Sequence, residues 1–186
     1  MIVRFLLFSL ILSSSLANAK VDPELRSYLK EAINNTASFD DRFDAEVWLV
    51  DMSARLSRYI KDKAFRVSFL QTLHQEASKQ NLPPEMILAL IQTESAFKPY
   101  ALSVVGAQGY MQIMPFWRKE IGRENDNLMD YRTNLKYGCA ILAHYLKREK
   151  GDWIRALARY NGSLGKTWYP EKVMSAWQKR WFVKSL

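Results

Sequence analysis

The stretch that decides the fold is residues 82–115, LPPEMILALIQTESAFKPYALSVVGAQGYMQIMP. Pro83 and Pro84 predict the start of a helix, because the first helical residues have no use for the N–H group that proline lacks. Glu85 suits the positive end of the helix dipole there. The two glycines at 106 and 109 predict tight turns after the helix. The stretch therefore predicts an apolar helix followed by an irregular loop.

One carboxyl group lies within the apolar stripe of this helix. At helical spacing, Ile87, Leu90 and Ile91 share one side with Glu94. Burial raises the pKa of a carboxyl group, and the negative end of the helix should raise it further. A carboxyl group that keeps its proton near neutral pH can serve as a general acid. It can equally be a core glutamate hydrogen-bonded to a tyrosine or a backbone amide, and the helix alone leaves both readings open.

The composition fits one globular domain with a substantial core. The chain has 186 residues, of which 48% are hydrophobic and 13% aromatic. No segment has the amino-acid composition typical of disordered regions. Its formal net charge is +8, which favours polyanionic partners. Together with the export signal described next, this charge predicts weak association with anionic envelope polymers rather than with nucleic acid. A monomer is expected.

The N-terminal residues 1–19 have the pattern of a signal peptide. Arg4 provides the positive charge, residues 5–12 form an apolar run, and residues 17–19 read Ala-Asn-Ala, a small-x-small cleavage site. The apolar run is far shorter than the ~20 residues that span a bilayer. We therefore expect cleavage near Ala19 and a mature chain that starts at Lys20 in the periplasm or outside the cell. No cysteine lies there to carry a lipid anchor.

Cysteine and histidine usage excludes several kinds of site. The single cysteine, Cys139, cannot form an internal disulfide and lies in an apolar helical run, which favours a buried, inert thiol. The two histidines, His74 and His144, are far apart and show no ligand spacing. The sequence predicts no metal and no cofactor.

Apolar periodicity predicts a mostly helical chain. The only strand candidate is residues 110–114, which could form a small hairpin before Pro115. The predicted fold class is therefore all-α, with a minor α+β element. The predicted helices besides the central one cover about residues 22–33, 47–56, 62–79, 133–149, 153–160 and 171–182.

Four blocks in chain order resemble the soluble lytic transglycosylase (SLT) domain family, whose fold is similar to goose-type lysozyme. The first runs from Glu94-Ser95 to Met111-Gln112-Ile-Met-Pro115. The others are Asn134-Leu-x-x-Gly138, Ala158-Arg-Tyr160-Asn161-Gly162, and Tyr169 followed by Val173. The resemblance covers about residues 70–177. It implies a catalytic domain at residues 70–186, with residues 20–69 as a helical extension packed on it.

The resemblance implies a single catalytic acid/base, Glu94. The implied reaction cleaves the β-1,4 bond between N-acetylmuramic acid and N-acetylglucosamine in peptidoglycan strands, without water, and leaves a 1,6-anhydro sugar. Tyr160 and Tyr169 would hydrogen-bond the catalytic carboxyl group. The residues implied to contact substrate are Ser95, Ser103, Met111, Gln112, Tyr160, Asn161 and Tyr169.

Two other functions remain open from the sequence. A hydrolytic muramidase on the same fold normally needs a second carboxylate, for which Asp126 and Asp130 are candidates. A non-catalytic module that binds the cell wall would bind the glycan without turnover. The mass of the product separates hydrolysis from the anhydro reaction, because the hydrolytic product is heavier by one water.

Overall fold

The structure, a computed structural model, describes residues 42–183 together with Glu24 and Tyr28. The predicted signal peptide at 1–19 lies outside the described residues, as does most of the predicted first helix at 22–33, of which Glu24 and Tyr28 are helical. The helices of the described chain are α1 (Arg42–Leu56), α2 (Lys63–Lys79), α3 (Pro84–Ser95), α4 (Trp117–Ile121), α5 (Tyr131–Arg148), α6 (Trp153–Asn161) and α7 (Trp168–Ala176), followed by a π-helical turn (Trp177–Trp181). The prediction of a mostly helical domain is confirmed.

Helix α3 forms the centre of the core. Six consecutive residues, from Met86 to Ile91, are buried, so the helix is covered on all sides rather than along one stripe. It packs against α2, α7 and the π-helical turn, while α5 packs against α2 and α6. Because residues 86–91 are enclosed, the helix itself is held in place and presents its last turn, which contains Glu94, in a defined position.

Three aspartates set the starts of helices α2, α5 and α6. Asp62, Asp130 and Asp152 each have extended backbone, and each side chain accepts a hydrogen bond from the backbone N–H three residues later. The three distances are 2.7, 2.9 and 3.0 Å, which is normal N-cap geometry. These caps confirm the predicted helix starts at 62 and 153 and move the start near 133 back to Tyr131.

Two left-handed residues end the central helix. Ala96 has φ +50° and Phe97 has φ +61°, although neither is glycine. Such angles cost energy in non-glycine residues and persist only where packing holds them. Here the packing is aromatic: the buried ring of Phe97 lies 4.8 Å from that of Tyr59 and 5.7 Å from that of Trp181. The chain therefore turns sharply after Ser95 and returns Phe97 to the core.

The loop after α3 carries the little β-pairing that the described residues show. Leu102 pairs with Gln108, and Gln108 with Ile113, as isolated antiparallel bridges rather than the continuous hairpin expected at 110–114. The physical reason is that Gly109 and Gln112 both have positive φ, which bends the chain between the paired residues.

The C-terminal helices differ from the prediction in two places. Helix α4 was missed, because it has only five residues and none of them is buried. Helix α7 begins at Trp168 rather than at Glu171, since Pro170 lies in its first turn, where proline is tolerated. We call α7 and the π-helical turn together the C-terminal helical segment, residues 168–181.

The predicted boundary between extension and catalytic domain lies inside α2. Phe69 and Leu70, on its two sides, are both fully buried. The division at this point remains a prediction. Among the described residues, no helix has the length and apolar character needed to cross a bilayer.

Candidate active site

Glu94 lies in the last turn of α3 with its side chain mostly enclosed by protein. The pKa of this carboxyl group is raised from 4.5 to about 7, because burial raises it by more than two smaller effects lower it. One is a hydrogen bond from Tyr169, and the other is the positive charge of Lys172. Near neutral pH the group is therefore divided between its acid and its carboxylate, so it can both donate and accept a proton.

Tyr169 fixes the position of that carboxyl group. It is buried in the first turn of α7, and its hydroxyl donates a hydrogen bond to Oε1 of Glu94. Burial and the neighbouring Glu94 raise the pKa of Tyr169 well above its ordinary value, so the phenol remains a donor at physiological pH. The hydrogen bond leaves Oε2 as the oxygen available to a reacting group.

Tyr160 lies near the same carboxyl group but makes a different hydrogen bond from the one expected. Its hydroxyl donates to the backbone carbonyl of Met111, at 2.8 Å. Burial raises the pKa of Tyr160 well above its usual range, and the charge of Glu94 adds to the effect. Tyr160 therefore links helix α6 to the loop at Met111, while Tyr169 alone donates to Glu94 among the described tyrosines.

The loop that carries Met111 and Gln112 is held by its own polar groups. The Nε2 group of Gln112 donates to the carbonyls of Ala101 (3.1 Å) and Gly109 (2.9 Å). Ser103 Oγ accepts a hydrogen bond from the N–H of Ala107 at 3.0 Å. Both predicted substrate-binding side chains therefore shape the loop.

Ser95 is buried, and its hydroxyl points into the protein. Its Oγ donates to the carbonyl of Tyr110 at 2.8 Å, with the carbonyl of Ile91 at 3.2 Å. Ser95 thus fastens the end of α3 to the loop. Asn161, by contrast, is exposed at the end of α6, just before the left-handed Gly162. A direct sugar contact from either residue remains a prediction.

Asn134, which the sequence did not single out as a site residue, organises the loop from outside. This fully buried residue of α5 accepts a hydrogen bond from the N–H of Met111 at 2.7 Å. Its Nδ2 group donates to the carbonyls of Gln108 (2.8 Å) and Leu128 (2.7 Å). A Cβ at Gly109 would lie 2.5 Å from Nδ2, so the close approach requires glycine there. The Asn-x-x-x-Gly block was the only signal in the sequence.

The family model described as the transglycosylase SLT domain matches residues 71–180, more than half of the chain. The chain belongs to this family. The matched span of this SLT domain contains Glu94, Asn134, Tyr160 and Tyr169, that is, the carboxyl group and the groups that hold it and the loop.

Two relatives illustrate the range of sequences to which this SLT domain is similar. A transglycosylase of Enterobacteria phage PRD1 is 36% identical over 111 residues, which is 56% of this chain and 41% of the phage protein. The soluble lytic murein transglycosylase of Escherichia coli K12 is 25% identical over 139 residues, which is 68% of this chain and 22% of that protein. The chain thus spans less than half of the length of these relatives.

Solved structures of two lytic transglycosylases also align with this chain. The inactive mutant of Slt from Pseudomonas aeruginosa is 24% identical, with a TM-score of 0.48, over 79% of this chain and 31% of that one. The 70-kDa soluble lytic transglycosylase of Escherichia coli is 23% identical, with a TM-score of 0.47, over 86% of this chain and 25% of that one.

The two carboxylates considered as partners for Glu94 have local roles in the SLT domain. Asp126 accepts hydrogen bonds from the hydroxyl of Tyr137 (2.6 Å) and the N–H of Arg123 (3.1 Å), which lower the pKa of Asp126. Asp130 caps α5. Both carboxylates are therefore engaged in hydrogen bonds within their own loop or helix start.

Metal and thiol chemistry find no support in the described part of the SLT domain. Across residues 42–183 with Glu24 and Tyr28, no group of three histidine, cysteine, aspartate or glutamate residues could hold a metal ion. Cys139 is buried, and burial raises the pKa of its thiol far above the ordinary value, so it is not a nucleophile at neutral pH.

Proposed function

We propose that this SLT domain protein is a peptidoglycan lytic transglycosylase that cleaves the β-1,4 bond between N-acetylmuramic acid and N-acetylglucosamine. The observation that carries the proposal is Glu94, a mostly enclosed carboxyl group with a pKa of about 7 and a hydrogen bond from Tyr169. Membership of the SLT family and relatives named murein transglycosylases support the substrate.

In the proposed first step, Glu94 acts as the general acid. Its proton passes to the glycosidic oxygen, the C1–O bond of N-acetylmuramic acid breaks, and the N-acetylglucosamine end leaves as an alcohol. The positive charge that develops at C1 is stabilised by the substrate's own N-acetyl group, so the protein need not supply a second carboxylate. A pKa near 7 suits this donor, because an ordinary glutamate would already be ionised.

In the second step, the same residue acts as the base. Ionised Glu94 accepts the proton of the muramoyl 6-hydroxyl as its oxygen bonds to C1, which closes the 1,6-anhydro ring. The proton that Glu94 gave away is thereby restored, and no water is consumed. Tyr169 stabilises the carboxylate between the two steps, since a hydrogen bond to the ionised form lowers its energy.

The glycan is proposed to lie along the loop after α3. This loop carries exposed apolar side chains, among them Tyr100, Leu102 and Phe116, which suit the faces of sugar rings. Met111 and Gln112 would offer backbone and amide contacts to the glycan. Asn161, at the end of α6, would contact it from the other side. The proposed substrate-contacting residues are Ser95, Ser103, Met111, Gln112, Tyr160, Asn161 and Tyr169.

The proposed place of action is the periplasm or the exterior of the cell. The support is the signal-peptide pattern of residues 1–19, with cleavage near Ala19. The net charge of +8 of the full sequence, from which cleavage removes only one charged residue, Arg4, favours approach to anionic envelope polymers.

The test is digestion of purified peptidoglycan followed by mass analysis of the soluble fragments. Fragments that end in 1,6-anhydro-N-acetylmuramic acid are expected, lighter by one water than those of a hydrolase. Glu94→Gln should release none, whereas Glu124→Gln, a change at an exposed glutamate, should match the wild type. Hydrated ends would establish a muramidase instead, and binding without any release would establish a wall-binding module.

A further inference from the structure

The end of the C-terminal helical segment is held by an arginine of α1, which packs against the π-helical turn. Nη1 of Arg55 donates hydrogen bonds to the backbone carbonyls of Arg180 (2.6 Å) and Phe182 (3.2 Å). Carbonyls at the end of a helix lack partners within it, and a cationic side chain can satisfy them. The two carbonyls lie on either side of Trp181, so one guanidinium group fixes the backbone on both sides of this residue.

Asp51, one turn earlier on α1, sets the direction of that guanidinium group. Its Oδ1 accepts a hydrogen bond from Nε of Arg55 at 2.8 Å, and its Oδ2 lies 2.6 Å from Nη2. This paired contact occupies one edge of the planar group and leaves Nη1 directed at the C-terminal helical segment. Both side chains are about one-third exposed, so the ion pair itself adds little to stability. Its main effect is to orient Arg55.

Trp181 contacts the chain on both sides of Glu94. Its Nε1 donates to Oε1 of Gln92, two residues before Glu94, at 2.9 Å. The centre of its ring lies 5.7 Å from that of Phe97, three residues after Glu94. Because Trp181 is fully buried, close packing holds it in this position. One side chain thus holds the backbone of residues 92–97, in which Glu94 lies.

A second side chain from the region of α1 supports the same turn. The ring of Tyr59, which follows α1, lies 4.8 Å from that of Phe97 and 6.4 Å from that of Trp181. This packing helps to hold Phe97 at its positive φ. Arg55, Tyr59 and Trp181 all lie outside residues 71–180, the span that the family model matches. The backbone around Glu94 is therefore supported by residues from outside that span.

We propose that Arg55 and Trp181 are positioning residues for Glu94, so that the helical extension before residue 70 completes the active site. The inference rests on the proposed function, in which Glu94 is the acid and the base. Arg55 fixes Trp181, and Trp181 fixes the backbone on either side of Glu94, which keeps the carboxyl group enclosed beside Tyr169. A misplacement of ~1 Å in a catalytic group can cost about 100-fold in rate, so contacts of this kind matter to turnover.

Loss of the Arg55 contact has a specific electrostatic signature. If the C-terminal helical segment loosens from α3, water reaches Glu94, and its pKa falls toward 4.5 because burial is the main cause of the raised value. Removal of the arginine charge would by itself raise that pKa, so a fall reports hydration and not the missing charge. The ionisable groups that face Glu94 are Tyr169 and Lys172 on α7 and Tyr160 on α6, and all three remain in the variant.

The test measures the pKa of Glu94 by ¹³C NMR of the side-chain carboxyl groups, with the Glu94 signal assigned as the one absent from Glu94→Gln. The variants are Arg55→Gln and Trp181→Phe, which keeps an aromatic ring but loses the Nε1 donor. Each should lower the pKa of Glu94 by about 0.5 or more. On peptidoglycan, each should lower kcat by about tenfold with little change in KM.

The matched control is Arg155→Gln. Arg155 is also an arginine paired with a carboxylate, that of Glu149, but it lies on α6. The control should leave both the pKa of Glu94 and kcat at their wild-type values. Should Arg55→Gln fail to fold, Asp51→Asn takes its place, since it keeps Arg55 but releases its guanidinium group, and it should lower the pKa of Glu94 in the same direction.

A variant that melts at a lower temperature but keeps the wild-type pKa of Glu94 and the wild-type kcat would overturn the inference, because Arg55 would then only stabilise the fold. An equal fall of the pKa in the Arg155→Gln control would overturn it too. A lowered pKa in the variants, with no anhydro fragments released by the wild type, would reject the proposed function and leave the positioning contacts standing. Anhydro fragments from the wild type, with pKa and kcat unchanged in every variant, would do the reverse.

Discussion

The side-chain carbonyl of Asn134 accepts a hydrogen bond from the backbone N–H of Met111, at 2.7 Å. With its two donated bonds, this one amide satisfies three backbone groups, two of them buried and one partly buried, and joins α5 to the loop beside Glu94. Each buried group left without a partner costs about 1–3 kcal/mol. Asn134→Leu should therefore lower the free energy of unfolding by about 3 kcal/mol or more, measured by urea denaturation.

Asn127→Ala provides the comparison for that prediction. It removes one hydrogen bond, from the N–H of Met129 to an exposed loop side chain, and should cost at most about 1 kcal/mol. A cost at Asn134 no greater than the cost at Asn127 would mean that the loop keeps its shape without the amide.

Removal of the Tyr169 hydroxyl should change both the rate and the pH dependence of cleavage. The hydrogen bond from Tyr169 stabilises the carboxylate and so lowers the pKa of Glu94, which means that Tyr169→Phe should raise this pKa above 7. The alkaline limb of the kcat profile should move to higher pH, and kcat should fall by about tenfold with little change in KM.

Tyr160→Phe separates orientation of the carboxyl group from support of the loop. Its hydroxyl donates to Met111 and not to Glu94, so the variant should lower kcat without moving the alkaline limb. A limb that moves equally in both variants would show that the two phenols act on Glu94 in the same way.

Lys172→Gln tests the electrostatic contribution to the acidity of Glu94. The lysine charge lowers the pKa of Glu94, so its removal should shift the alkaline limb to higher pH. Lys172 is exposed, and salt screens exposed charges over ~10 Å at 0.1 M, so the shift should shrink as salt is added. A shift of the same size at ~1 M salt would point to a structural effect of the substitution instead.

Glu94 also makes stability depend on pH in a direction that is unusual for a carboxylate. Its pKa is about 7 in the folded protein and 4.5 in its ordinary state, so the folded protein binds more protons between these values. The resulting stabilisation of the folded protein is at most about 3 kcal/mol. It is fully present below pH 4.5 and is lost as pH rises to about 7.

Glu94→Gln removes this dependence. The variant should therefore gain stability relative to the wild type as pH increases from 4.5 to about 7, and the difference should then be constant. Denaturation curves at a series of pH values measure it. A difference that does not vary with pH would mean that Glu94 titrates alike in the folded and unfolded chains.

The sequence predicted the features that depend on neighbours along the chain. The helix starts at 62 and 153 were predicted from the local pattern, and the structure shows that Asp62 and Asp152 are the N-caps there. The raised pKa of Glu94 was predictable in direction, because its apolar neighbours at helical spacing belong to the same helix. Burial proves to be the main cause.

Features that depend on distant packing were predictable only in part. The contact between Tyr169 and Glu94 joins positions 75 residues apart and was expected only from the family resemblance. No local rule distinguishes the role of Tyr160 from that of Tyr169, or shows that Lys172 lies near Glu94. Asn134 looked like an ordinary residue near a helix start, since its three partners lie on other segments.

The contact between Tyr169 and Glu94 bears on when the protein becomes active. Translation proceeds from the N-terminus, so Glu94 is synthesised 75 residues before Tyr169 and the helix that carries it. Until that helix docks, water surrounds the carboxyl group and it ionises like any surface glutamate. In the proposed enzyme, the raised pKa of Glu94, and with it the use of this group as a general acid, would therefore arise only once α7 has docked on α3.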